Sequence, residues 1–368
     1  MPAPGPIPAT ARRRPGGPRT AGSPVLRAAW LGGTLLLTLG ALPVVVALAP
    51  AAGAAPGETL GGLLFLGSSV HVAGTGWFYS VPEVRRHIGT RRRRYVAAPL
   101  ALVAGTAVLA ASIPQRPFEL LLLPYFGWQF FHFQKQNLGL AALASSGYGS
   151  GPLRPGERRA VTVAGIAGIA GLLAHPALLR LADVPRLGPL FPLAAAGYAL
   201  AVGYGVVQLM RRAPEDRRAT AGGLYLMTLL FFLPVFVFQS PYAAVAGLTL
   251  AHGGQYLLIV GLVAGGGGGP RRARLASLAV LLGVGLVLGS VLELASHLGS
   301  GGAPARAVYG AYLGASMAHF VVDAGLWRLR DDFPRGFLAR RLPYLVRTGS
   351  AAVHKQLMMS SYRSMLHP

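Results

Sequence analysis

The chain has 368 residues, of which 53% are hydrophobic and 12% charged, and its mean hydropathy is +0.50. A soluble domain carries about 25% charged residues, so this composition excludes an ordinary water-soluble fold. With no cysteine, the chain also excludes disulfides, thiolate metal sites, iron–sulfur clusters and cysteine nucleophiles. The net charge of +23 is explained by arginines in short loops against an anionic cytoplasmic leaflet, not by nucleic acid.

Residues 1–26 are rich in Pro, Gly, Ala and Arg without an apolar period and read as a disordered basic tail. Residues 27–328 then hold runs of about 20 apolar residues, each long enough to cross a hydrocarbon core about 30 Å thick. The first run, 28–50, is followed by small residues that imitate a signal-peptidase site. It is longer than the 7 to 15 apolar residues of a usual signal sequence and is read as a retained helix. Further runs fall near 59–80, 95–113, 117–146, 160–180, 187–210, 219–239, 241–264, 275–298 and 305–327. The expected fold is an all-α transmembrane bundle of about ten spans. Pro124 and Gly127 mark a kink or break in the fourth span. Residues 329–368 alternate Arg with Phe, Leu, Tyr and Met, as expected of a basic amphipathic cytoplasmic tail on the membrane surface. The Gly-rich stretch 265–269 is a loop and no phosphate cradle, since no GKS or GKT follows it.

Charge placement orients the bundle. Arg85, Arg86 and Arg91 to Arg94 follow the second span; Arg154, Arg158 and Arg159 follow the fourth. Arg211, Arg212, Arg217 and Arg218 follow the sixth, and Arg271, Arg272 and Arg274 the eighth. The opposite loops and their edges hold only Arg116, Arg180, Arg186 and Arg306. By the positive-inside rule both termini are expected in the cytoplasm, with the chain in the inner (plasma) membrane as a multi-pass protein.

Spans two, four, eight and ten then run from outside to inside, and each carries one histidine: His71, His132, His252 and His319. All four fall about 17 to 22 Å below the outer edge at the helical rise of 1.5 Å per residue. Ionisable side chains in hydrocarbon usually face a bundle interior and mark a functional site, and imidazole is the commonest nitrogen ligand for transition metals. Polar residues a helical turn away accompany each one. Ser68 and Thr75 share a face with His71, Gln129 and Gln136 with His132, Gln255 and Tyr256 with His252, and Asp323 with His319. The expected metal set is His71, His132, His252, His319 and Asp323. Gln129, Gln136, Asn137, Gln255, Tyr256 and Thr75 are expected around it or along a polar cavity. The blander alternative is a set of polar pairs that only tie helices together. Lys135 is expected to snorkel to the headgroups, and Glu293, His297 and His175 to reach the interface.

The stretches Ser69-Val70-His71-Val72-Ala73-Gly74-Thr75-Gly76-Trp77, His132-Phe133-Gln134-Lys135-Gln136-Asn137 and His319-Phe320-Val321-Val322-Asp323 resemble those of uncharacterised bacterial polytopic membrane proteins. More remotely, isolated histidines on separate helices are similar in style to the Brp/Blh-type carotene-cleaving dioxygenases, where histidines hold a non-haem iron. The chain lacks the HxxxH and HxxHH clusters of membrane desaturases. The resemblance and the residues together point to an intramembrane metal-dependent oxidoreductase. It would carry non-haem iron, act on a lipophilic small molecule drawn from the bilayer, and be served by an electron donor. Two other chemistries fit the same residues: a haem b electron-transfer protein with histidine pairs between helices, and a proton-coupled transporter using His and Asp. The oligomeric state is left open by the sequence.

Overall fold

The computed structural model describes residues 24–51, 54–181, 183–267 and 269–346. The expected N-terminal tail and the end of the C-terminal tail lie largely outside the described residues. Every described element is helical. Five helices are long and apolar enough to cross a membrane: Pro24–Leu48, Arg93–Ser112, Leu190–Met210, Tyr242–Gly265 and Arg271–Ser296. The other five expected stretches are also helical over most of their length. Two of them, Gln115–Gly147 and Ala303–Leu326, are long but carry His132, Gln134, Lys135, His319 and Asp323.

Local sequence sets the boundaries. Pro155 and Pro304 each occupy the first turn of a helix, where the missing N–H costs nothing. Glu157 accepts a bond from the Arg154 N–H at 2.8 Å, closing the start of Pro155–Ala174. Pro124 sits inside Gln115–Gly147, which runs through as one helix of 33 residues, so of the expected kink or break there is no break. The stretch 59–80, expected as a plain span, is compound. An α-helix, Glu58–Phe65, passes into a π-helical turn at Leu66–Val70, returns to α over His71–Gly74 and tightens to a 3₁₀-helix over Thr75–Ser80. Two further π-helical turns follow: Arg93–Ala97, which precedes Ala98–Ser112, and Tyr242–Ala246, which opens the helix that carries His252. Single π turns inside α-helices frequently mark functional sites.

Burial is inverted relative to a soluble protein. Leu193, Leu200, Leu286, Val287 and Leu294 face outward, with Leu200 at 75% exposure, while His71, His252, Gln255, His319 and Asp323 are all at 4% or less. An outer surface that apolar belongs in lipid. The helix Ala303–Leu326 packs against Ala98–Ser112 through Gly310 and Gly314, whose missing β-carbons admit Thr106 and Val103. Thr106 Oγ1 also donates to the Gly310 carbonyl at 2.7 Å. The described interior holds two large apolar clusters and a small third one of Val45, Leu60 and Ala246. Of the large two, one gathers Phe118, Phe130, Phe133, Leu172, Phe232 and Ala251, and the other Trp30, Trp77, Phe78, Tyr95, Leu224 and Tyr256. The histidine-bearing faces meet where these two clusters adjoin. Residues 332–341, expected to lie on the membrane surface, form the short helix Asp332–Arg341, which buries Phe337 and Leu338 in the second cluster.

Candidate metal centre

Helix contacts without side chains bring the histidines together. A β-carbon on Gly253 would collide with the Gly67 carbonyl, and one on Gly67 would lie 2.9 Å from the Leu250 α-carbon. The backbones therefore touch at the π-helical turn, one residue from His252 and four from His71. The His71 and His252 ring centres are 5.0 Å apart at 90°. From His71 the next ring is His319, at 5.0 Å and 82°. His132 closes the circuit, 5.0 Å from His319 and 5.1 Å from His252. The four rings thus form a closed quadrilateral in which each adjacent pair meets edge to face.

All four Nε2 atoms in this cluster are buried and lack a hydrogen-bond partner. Buried polar atoms are nearly always paired, so four orphans on mutually touching rings call for a common partner. Imidazoles bound through nitrogen to one ion at about 2.1 Å place their ring centres roughly 5 Å apart, which is the spacing observed. Donor atoms of His71, His252 and His319 lie within 4.8 Å of one another, as do those of His132, His319 and Asp323, so His319 belongs to both groups. These buried His/Asp groups could hold a metal ion.

Packing holds the rings in place. Phe133 stacks on His252 at 3.8 Å and 16°, and Phe320 on His132 at 4.6 Å and 26°. Nδ1 of His319 is 2.6 Å from Thr75 Oγ1, which is 2.6 Å from Tyr256 Oη, and Tyr256 donates to Asp323 Oδ1 at 3.1 Å. Asp323 Oδ2 is 3.8 Å from His319 Nε2. Were His319 Nε2 to hold an ion, the chain of donors would run from Nδ1–H through two hydroxyls to a carboxylate, and would fix the His319 tautomer as an orienting carboxylate does in metal sites.

Of the residues expected around the site, Thr75 serves His319 rather than the helix neighbour His71. Gln136 donates to the His252 carbonyl and to Gln255 Oε1, both at 3.0 Å, and Gln255 donates to Thr38 Oγ1 at 2.6 Å. Gln129 Oε1 is buried without a partner, and so are both side-chain polar atoms of Asn137. Gln134 braces a neighbouring helix at the Val161 carbonyl, 2.6 Å away. Lys135 is at the surface, its Nζ 5.1 Å from the Phe131 ring centre. His297, 73% exposed, pairs with Glu293 at 3.4 Å, while Glu293 also accepts from Ser69 at 2.6 Å.

Sequence reasoning missed Thr38, Phe133 and Phe320. The spacing of Trp30, Thr34 and Thr38 was the available signal, since hydroxyls four apart on one apolar span share a buried face. The Glu157–Arg212 pair was missed too. Arg212 was read with the loop arginines, yet its guanidinium reaches Glu157 through Nε at 2.5 Å and Nη2 at 2.6 Å, with both side chains buried. These bonds to Glu157 raise the already high Arg212 pKa.

No known family model, curated protein or solved structure matches the chain.

Proposed function

We propose that the protein is an integral membrane oxidoreductase that holds one non-haem iron ion between His71, His132, His252 and His319, with Asp323 beside it. The observation that carries this reading is the set of four partnerless Nε2 atoms on rings 5.0 to 5.1 Å apart. A donor set of imidazoles with one carboxylate suits iron among the common transition metals. The resemblance to histidine-bound non-haem iron in carotene dioxygenases points the same way. The site is buried among largely apolar helices, which would shield reactive oxygen chemistry from bulk water. A lipophilic substrate from the bilayer fits such surroundings. His132, at 9% the least buried of the four, stacks on Phe320, and Trp128, 37% exposed, packs against Phe320. We place the approach of a lipid-borne substrate at that edge. A bare ion is favoured over haem b because the four imidazoles fill the directions that a macrocycle would occupy. The arginine alternation supports about ten spans with both termini in the cytoplasm, in the inner membrane of the cell.

Metal analysis and an optical spectrum of detergent-purified protein test the reading. Stoichiometric iron without a Soret band is expected, and it should be lost in His252→Ala and His319→Ala but kept in His297→Ala. A Soret band, or protein free of transition metal after growth and purification with added iron, overturns it.

A further inference from the structure

The phenol of Tyr256 is placed for more than bracing. Its ring, 1% exposed, stands edge-on to the His319 ring at 5.1 Å and to the His71 ring at 5.7 Å. Its hydroxyl points to a carboxylate, Asp323 Oδ1, and touches Thr75. The Trp327 indole is 6.4 Å from the Tyr256 ring, and the Phe78 ring is 6.0 Å from that indole. Trp327 caps the end of Ala303–Leu326 and is half-buried, followed at once by Arg328 and Arg330. Two oxidisable side chains therefore connect the buried cluster to the basic end of the bundle.

We propose that Tyr256 and Trp327 are a one-electron relay between the histidine centre and a reductant at the basic membrane face. The proposal rests on the metal reading above for its oxidant. The electron leaves the Tyr256 phenol for a transition-metal ion of the centre in its oxidised state, which is reduced by one unit. The Oη proton passes along the existing hydrogen bond to the Asp323 carboxylate, leaving a neutral phenoxyl radical and a carboxylic acid. Trp327 then returns an electron to Tyr256 while Asp323 returns the proton. A one-electron donor from the aqueous side refills the Trp327 cation radical. Asp323 suits this task because proton and electron can leave together, so no bare phenol cation forms in a medium that would not solvate it.

A photo-oxidant tests the relay apart from the metal. Chelator-stripped, full-length protein in detergent is illuminated with tris-bipyridine ruthenium and persulfate, and radicals are read by electron paramagnetic resonance. The metal content of the untreated protein is measured separately, so failure of the iron reading registers there and not in the radical signal. The expected result is a tyrosyl signal that outlives those of exposed tyrosines. It should be lost in Tyr256→Phe and several-fold weaker in Trp327→Phe. Asp323→Asn keeps the shape without the proton acceptor and should weaken it too, which covers the case that Tyr256→Phe does not fold. Wild-type and Tyr256→Phe traces that superimpose, or a wild-type protein with no persistent tyrosyl signal, overturn the proposal. An undiminished signal in Trp327→Phe removes the indole from the route.

Discussion

Gly253 faces the carbonyl oxygen of Gly67 with no room for a β-carbon between them. That contact lets the helices of His71 and His252 run close enough for their rings to meet at 5.0 Å. Gly253→Ala should force the two backbones apart and cost about 1–3 kcal/mol, as overpacking does. Bound metal should fall with it, read by elemental analysis beside a melting curve in detergent. Gly261→Ala, on the same helix with nothing within 4 Å of its added carbon, should change neither. Equal metal content in the two variants would detach the glycine contact from the site.

Asp323→Asn removes charge while keeping shape. The hydrogen-bond chain through Thr75 and Tyr256 then ends on a neutral amide, and His319 loses its orienting partner. Metal affinity should drop about 10- to 100-fold, the usual cost of losing such a group. Competition with a chromophoric chelator measures it. Unchanged affinity would show that Asp323 neither binds nor orients.

Arg212 and Glu157 form a buried pair with side-chain exposures of 4% and 0%. Arg212 also bonds the Ser150 carbonyl and lies 3.3 Å from the Pro152 carbonyl, tying the loop before Pro155–Ala174 to the end of Leu190–Met210. Arg212→Met strands the carboxylate and should destabilise the fold by about 3–5 kcal/mol. Adding Glu157→Gln should recover part of that loss. Melting temperatures of the two variants in one detergent give the comparison, and a double variant less stable than the single one contradicts the account.

Topology is open to direct labelling because the chain has no cysteine of its own. A cysteine placed at Gly89, which is exposed with nothing within 4 Å of its added carbon, should react with a membrane-impermeant maleimide only in opened cells. One at exposed Ser300 should react in intact cells. The reverse pattern would turn the bundle over.

Much of the candidate site was legible because intramembrane histidines are rare and their depth can be counted along a helix. That put His71, His132, His252 and His319 on one level, and the i,i+4 rule put Asp323 beside His319. The partners across helices were not legible in the same way. Thr75 was assigned to His71 because sequence spacing sees only a residue's own helix, while the 3₁₀ turn over Thr75–Ser80 accompanies its contact with His319. The π-helical turns left no periodic trace in a run of Gly, Ser, Ala and Val. Pro124 pointed to a kink or break, and the helix is not broken there, since proline removes one backbone donor but permits a helix to continue in an apolar setting. Arg212 shows the limit of charge counting: one arginine of a loop group is paired inside the protein.

The last described apolar helix, Ala303–Leu326, supplies His319, the one residue shared by both ligand groups. At about 5–20 residues per second, a ribosome finishes His71, His132 and His252 well before His319 emerges. No seat for an ion that includes His319 can close until that helix has been made. Until then the newborn chain offers any metal ion only an incomplete set of these imidazoles.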